Sequence, residues 1–505
     1  MRSATLVVIF TMVGYFSSAY AVDSPIPKDS PQYGQWLTGA GIEGEPVGGQ
    51  PPKGVMPSVG DFEYTVKYQA AFQTMLWSVP ASAIYRFRGA TMDAIGADDT
   101  TILSWHNTAT PRLEAVTANS STPYITAYSD LQKGPLVLEV PAASNEGRLY
   151  GQVVDAWQLT IADVGPGGGM DDGKGGKYLF TPPGYEGEVP GGYIHVESPN
   201  YRIGFALRSV VLEGKSQADA VEYAHQLRIY YLKDAANPPE QKFINPDKLV
   251  YPTLPFFDER AFEDLHAIFS VEPVRPQDKV MMGLLAELGI QHGNPDYAPD
   301  EVTLKAMRQA AVDVWYTLQY RLDNYSSEEL YWPDRHYISL LMTDDNRMFT
   351  WEYDDRVDYI DRAVEYFWCT YMPKQLSDSP STQYMIAMKD AEGRPLLAGK
   401  NYKVTIPKDM PVEQFWALTI YDRATHSFIY TPSERTTISS YDYDNLKTND
   451  DGSVTLYVGP NKPAGLESNW INTMGKRPLP AIRFYGPTEA MNNKTFKLGD
   501  FELIE

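Results

Sequence analysis

One cysteine, Cys369, and seven histidines are all that this chain of 505 residues offers to thiol or soft-metal chemistry. A single thiol excludes an intramolecular disulfide, so the fold has to rest on packing. Within VEYFWCTYM that thiol sits among bulky apolar residues and is expected to be buried and inert. His106, His195, His225, His266, His292, His336 and His426 never come within five residues of one another, and there is no HExxH, His-x-His or Cys pair. A local zinc motif is therefore absent, and no metal ligand is assigned. Positive charge is also scarce: 43 Lys and Arg against 65 Asp and Glu leave a net charge of -22. Such a surface repels nucleic acid and anionic membrane, and the surplus of carboxylates keeps a chain soluble. Long apolar runs are missing except at the start, where MRSATLVVIFTMVGYFSSAYA (1–21) has one basic residue, a short apolar centre and a small-x-small end at Ala19 and Ala21. That pattern predicts a cleaved secretory signal and a mature chain, free of the membrane, that is secreted, periplasmic or lumenal.

What is present is ample material for cores, with 43% hydrophobic and 13% aromatic residues. Residues 22–60 are rich in Pro and Gly without a period and read as an extended arm. Helical spacing begins at Phe62, with Pro80 interrupting or kinking it. Short aromatic and β-branched segments follow (ITAYSDL, PLVLEVP, KYLFTPP, YIHVES), and ADAVEYAHQLRIYYL reads as a short closing helix. A second Pro-rich passage precedes four segments of helical period. Strand patterns return near Gln383, with Gly-containing turns at DAEGRP and NDDGS. The expected fold class is multidomain α+β. It comprises an N-terminal β-sandwich with flanking helices (61–235), a central all-α domain (255–380) and a C-terminal antiparallel jelly-roll-like β-sandwich (383–505).

The stretches NSSTPYITAYSDLQKGPLVLEVP, YGQVVDAW, KYLFTPPGYEGEVPGG and RIGFALRSVV occur in this order, and together they resemble the module called domain of unknown function 1254. DAEGRPLLAGKNYKVTIPKDMPVEQFWALTIYD, then ERTTIS, DGSVTLYVG and ESNWINT, resemble its C-terminal companion, domain of unknown function 1214. The resemblance implies the same three-part fold and is silent on chemistry, since the family's name records no established general activity. One departure stands out: where relatives tend to read Asn-Ala-Asp-Thr, this chain has Asn119-Ser120-Ser121-Thr122, so a carboxylate is missing.

Several chemical motifs fail on inspection. GGMDDGKG (168–175) satisfies Gly-x4-Gly-Lys, but Gly175 stands where Ser or Thr would hold magnesium, and a strand pattern follows instead of a helix. It reads as a mobile surface loop. GKSQA (214–218) lacks the last Gly of a nucleophile elbow. The acidic clusters TDDN, YDDRVDYID and YDYDN lack the Gly and Glu of a calcium loop. No nicotinamide or flavin fingerprint is present, and the cofactor is unassigned.

Polar groups set in aromatic strands are what remain, the composition of a small-molecule site. They are Asn119, Thr122, Tyr124, Asp155, Trp157 and Arg208 in the first half, and Trp416, Tyr421, Asp422, Arg435 and Trp470 in the second. Asp155, Asp422, His106 and His426 are the candidate general acids and bases, the two histidines because each lies in a polar loop beside aromatics. Asp155 could instead cap a bend, and Trp416 is most simply core. Sequons stand at Asn119, Asn324 and Asn493, Asn119 being the least suited because its block resembles the sandwich core. Two functions compete: an enzyme on a small organic molecule, hydrolase-type or tailoring a natural product, and a non-catalytic protein that binds a ligand or glycan or assembles with copies of itself.

Overall fold

The computed structural model describes residues 61–120, 122–324, 330–339, 349–370 and 382–504. The expected signal (1–21), the arm (22–60) and the TDDN cluster lie outside these residues. The described chain is a mixed α+β structure with its strands in several sheets.

Two helices, Phe62–Trp77 and Val79–Gly89, open it. The break falls at Ser78 and not at Pro80, because Pro80 occupies the first turn of the second helix, where a missing N–H loses no partner. A six-stranded sheet follows in the order Phe243–Ile244, Ile102–Ser104, Ile125–Asp130, Arg202–Ser209, Leu149–Val154, Thr160–Val164. A four-stranded sheet (Arg228–Tyr231, Leu136–Val140, Gly176–Thr181, Ile194–Glu197) shares a core with it that includes Ile125, Leu138, Phe180, Phe205 and Leu207. The segment expected as one closing helix is divided. The helix ends at Ala224, and Arg228–Tyr231 is a strand against Leu136–Val140. As a strand it puts Ile229 and Tyr231 in the core, and the β-branched and aromatic RIYY prefers that conformation.

Helices Arg260–Phe269, Lys279–Glu287, Glu301–Asp323 and Tyr359–Trp368 pack with the first two. A five-stranded sheet comes last, in the order Tyr337–Ser339, Thr382–Ala387, Pro478–Pro487, Val412–Asp422, Thr437–Ser439. It shares a second core, around Trp416, Leu418, Ile482 and Phe484, with a four-stranded sheet (Trp470–Asn472, Val454–Gly459, Asn401–Ile406, Glu502–Ile504).

Strand alternation decides what faces what. On Arg202–Ser209, Ile203, Phe205 and Leu207 point into the first core, so Arg202, Gly204, Ala206 and Arg208 share the opposite face. On Val412–Asp422, Trp416, Leu418 and Ile420 point into the second core, and Phe415, Ala417, Thr419 and Tyr421 take the other face. The outward faces of the two large sheets and the helices meet in one apolar cluster that contains Trp77, Tyr128, Leu318, Phe367, Tyr421 and Leu479. At one end of that junction, polar side chains replace the apolar ones.

Candidate functional site

On the six-stranded sheet, Tyr150 pairs directly with Arg208. Tyr124 immediately precedes Ile125, the partner of Leu207, so it flanks Arg208 on the other side, and the guanidinium lies 4.4 Å over its ring. A similar row stands on the five-stranded sheet. Arg483 has Tyr384 and Ala417 as its register partners and lies 5.3 Å from the ring centre of Tyr384 and 5.8 Å from that of Tyr421. Two residues on, and so on the same face, Tyr485 stacks on Phe415 at 3.9 Å.

A strap at residues 117–120 runs between the two rows. The N–H of Thr117 donates to the carbonyl of His426 at 2.6 Å, and its hydroxyl donates to the carbonyl of Trp368 at 2.9 Å. Tyr421 Oη donates to the carbonyl of Ala118. Asn119 Nδ2 donates to Tyr485 Oη at 2.9 Å, and its N–H donates to Tyr124 Oη at 2.6 Å. The hydroxyls of Ser120 and Thr437 are bonded to each other. The strap thus ties both large sheets to the last long helix.

The two arginines are the unusual members. Arg483 is 3% exposed; its Nη1 donates to Thr419 Oγ1 at 3.1 Å, and its Nη2 to the Thr117 carbonyl at 3.1 Å and Tyr421 Oη at 2.7 Å. Its Nε is buried with no partner among the described residues. Arg208, half-buried, gives Nη1 to the carbonyl of Thr122 at 3.1 Å and to its hydroxyl, while Nε and Nη2 have no hydrogen bond to a described residue. No carboxylate among the described residues lies within ion-pair distance of either guanidinium. Burial opposes both charges, the surrounding tyrosines favour them, and the net displacement of each pKa is upward, so both stay cationic. Burial also raises Tyr384 and Tyr421 well above the ordinary phenol value, which keeps them as O–H donors at neutral pH. The site is therefore rich in donors, doubly positive and without a described base. Guanidinium and phenol faces suit a planar anion, which would fill the donors left open.

Five residues singled out from the sequence gather here: Asn119, Thr122, Tyr124, Arg208 and Tyr421. The side chains of the candidate acids and bases do not, although the His426 carbonyl anchors the strap. Asp155 is buried and accepts the N–H groups of Trp157 at 2.8 Å and Leu159 at 3.0 Å, so it closes its own turn; burial lifts its carboxyl to about 6. Trp157 is walled in by Trp77 at 5.0 Å and by the Arg275 guanidinium at 4.1 Å. Asp422 accepts the N–H of Ala424 at 3.0 Å and pairs with Lys476 at 2.5 Å. His426 is 1% exposed, accepts from Arg423 Nη1 at 2.9 Å and packs edge-on to Phe367; burial, then the charge of Arg423, hold its imidazole neutral. His106 sits 5.9 Å from His225, beside the loop of Asp247. Trp416 is sealed in the second core, because even spacing along its strand turns it away from the junction. Arg435 donates to the carbonyl of Ser468 and Trp470 Nε1 to that of Gly459, both on the far side of that core.

Asn119 is 6% exposed with its amide committed, so it has no room for a glycan, whereas Asn324 and Asn493 are exposed. The loop expected to be mobile at 168–175 is held from within: Asp171 accepts the N–H groups of Gly165 at 2.7 Å and Gly175 at 3.1 Å and the hydroxyl of Tyr178 at 2.8 Å. Its donors serve a carboxylate of the same loop and are closed to phosphate. Cys369 is buried and its thiol is pushed up to about 12, chiefly by that burial. No group of three or more metal-ligating side chains occurs among the described residues. Sequence reasoning passed over Arg483, Tyr485, Tyr384 and Tyr150. The available signal was an arginine inside the otherwise apolar strand AIRFYG, with a tyrosine two residues on.

Residues 100–231 match the family model described as "Protein of unknown function (DUF1254)", and residues 381–489 match "Protein of unknown function (DUF1214)". A crystal structure of a Vibrio parahaemolyticus protein is similar at 16% identity, with 87% of this chain and 100% of that one covered and a TM-score of 0.51. One from Burkholderia cenocepacia covers 88% and 96%, at 12% identity and a TM-score of 0.37. The first likeness shows the fold alone. No curated protein matches the chain. No helix among the described residues is long and apolar enough to cross a membrane.

Proposed function

We propose, for a chain that joins a DUF1254 match to a DUF1214 match, that it binds a small organic carboxylate between the two modules, at the junction of Arg208, Arg483 and their tyrosines. The observation that carries this reading is the pair of guanidiniums with no carboxylate partner among the described residues, one of them with a buried N–H unspent. Leaving such groups unfilled costs free energy, and an anionic ligand would recover it. A catalytic role has less support, since the side chains of Asp155, Asp422, His106 and His426 are engaged in their own turns and loops, Asp422 and His426 in one shared turn. The finer architecture belongs to the same reading: an N-terminal β-sandwich with flanking helices, a central helical domain and a C-terminal jelly-roll-like β-sandwich, supported by two pairs of sheets that each enclose a core; the span 255–380 is not all-α, because its strand Tyr337–Ser339 joins the C-terminal sheet. So does export of the mature chain, which N-terminal sequencing of the secreted protein would test.

Isothermal titration with benzoate, cyclohexanecarboxylate and neutral benzamide tests the proposed site. A carboxylate is expected to bind with a dissociation constant between about 10 μM and 1 mM, more weakly as salt rises, and benzamide at least tenfold more weakly. Arg208→Gln should remove the preference for the carboxylate while leaving the circular dichroism unchanged. Equal binding of benzoate and benzamide, or no binding of either acid, would refute the proposal.

A further inference from the structure

A recess lies beyond the Tyr124 end of the arginine–tyrosine junction. It has a volume of about 210 Å³ and opens between the loop after the strand Ile102–Ser104 and the loop before Tyr251. Its floor is made of the edges of Trp105, Leu113 and Tyr251, which are 4%, 6% and 1% exposed, with the two rings crossing at 66° and 5.6 Å apart. Trp105 also packs edge-on to Tyr124 at 6.1 Å, so a layer of aromatic rings separates the recess from the Arg208 guanidinium.

The rim differs from that junction in charge. Arg112 is paired with Glu434 at 3.5 Å. Asp247 stands beside Lys248 in sequence and is fully engaged: Oδ2 accepts from Asn107 Nδ2 at 2.7 Å and Asn245 Nδ2 at 3.2 Å, and Oδ1 faces the N–H groups of His106 and Asn107 at 3.3 and 3.4 Å. The charges of Arg112, Glu434, Asp247 and Lys248 sum to zero around the opening, and Asp247 is not free to bind a cation. Besides the exposed Lys248 ammonium at the edge, what the rim offers is neutral: the hydroxyls of Thr108 and Thr110, the latter also accepting the N–H of Arg112 at 3.4 Å, among loop backbone. The volume falls below the roughly 300 Å³ at which pockets begin to hold drug-sized molecules.

We infer that this recess is a binding site for an uncharged, hydroxylated molecule of single-ring size, a monosaccharide or cyclic polyol. The apolar floor takes the C–H edge of the ring, and the threonine hydroxyls and loop amides take its O–H groups. The inference does not depend on the proposed carboxylate site, since it names different lining residues and an uncharged ligand.

Saturation-transfer NMR on the whole chain tests it with glucose, galactose, N-acetylglucosamine and myo-inositol. At least one is expected to receive saturation, with a dissociation constant of about 1–10 mM, and to resist competition by benzoate. Thr110→Phe, which fills the recess, should abolish the transfer. The double variant Thr108→Val, Thr110→Val, which keeps its shape, should weaken binding at least tenfold. Arg208→Gln should leave it unchanged. No transfer to any of the four rings, transfer that persists in Thr110→Phe, or displacement by benzoate would each overturn the inference.

Discussion

Glu272 shows how much a single residue can hold. Its side chain is 1% exposed, accepts the N–H groups of Tyr201 at 2.8 Å and Arg202 at 3.1 Å, and lies 3.9 Å from the Arg202 guanidinium. Burial outweighs these partners and lifts its carboxyl to about 7. An acid whose folded pKa lies above its unfolded value binds its proton more tightly when folded. Its contribution is complete below the unfolded value, near 4.5, and is lost as pH rises through about 7. We expect the stability of the native chain relative to Glu272→Gln to fall by on the order of 3 kcal/mol between about pH 4.5 and pH 8, as read by urea unfolding. A flat difference across that range would show that the carboxyl is not displaced. Nothing in VEPVR announces this group, because burial of an acid depends on what packs over it. Arg483 was only partly legible: a charge inside an apolar strand is a signal, but its partners, Thr117 and Tyr421, lie 366 and 62 residues away.

Local chemistry and tertiary pairing divide the work among the elements. Capping and turn signals are short-range, so helix starts such as Asp61 before Phe62–Trp77 and Ser216 before Gln217–Ala224 follow from adjacent residues. The strand Arg228–Tyr231 exists because Leu136–Val140 lies beside it, which no window around RIYY contains. The glycine-rich loop at 165–176 is a further case. Its glycines at 165, 167, 168, 173, 175 and 176 adopt positive φ, and a Cβ on Gly165 would stand 2.0 Å from the Leu149 carbonyl oxygen, so the backbone path demands glycine there. Asp171 then holds that path. Asp171→Asn should cost about 2 kcal/mol in urea unfolding, because charge-assisted bonds to buried N–H groups are lost. Titration with ATP and magnesium should give no heat in either form. ATP binding that disappears in the variant would reverse the reading of this loop.

At the scale of the whole molecule, the central cluster decides behaviour. It joins the outward face of each large sheet to the helices, so Tyr128, Phe269, Leu318, Ile386 and Leu479 belong to one apolar body. Removing either sheet pair would expose that face, and calorimetry of the full chain should therefore show a single cooperative transition. Two transitions separated by more than about 10 °C would mean that the sheet pairs fold independently. Sequence alone determined the mixed α+β class, the alternation along each strand, the two matching modules in their order, and the lack of disulfide and local metal motifs, because these depend on composition and on spacing within a few residues. Tertiary structure alone decided which face of each strand meets which neighbour. It brought Asn119, Thr122, Tyr124, Arg208 and Tyr421 to one junction with Arg483, and left the side chains of Asp155 and His106 in loops elsewhere and those of Asp422 and His426 tied up within one turn. That assignment depends on contacts across hundreds of residues, and a strand carries no mark of which partner its outward side will find.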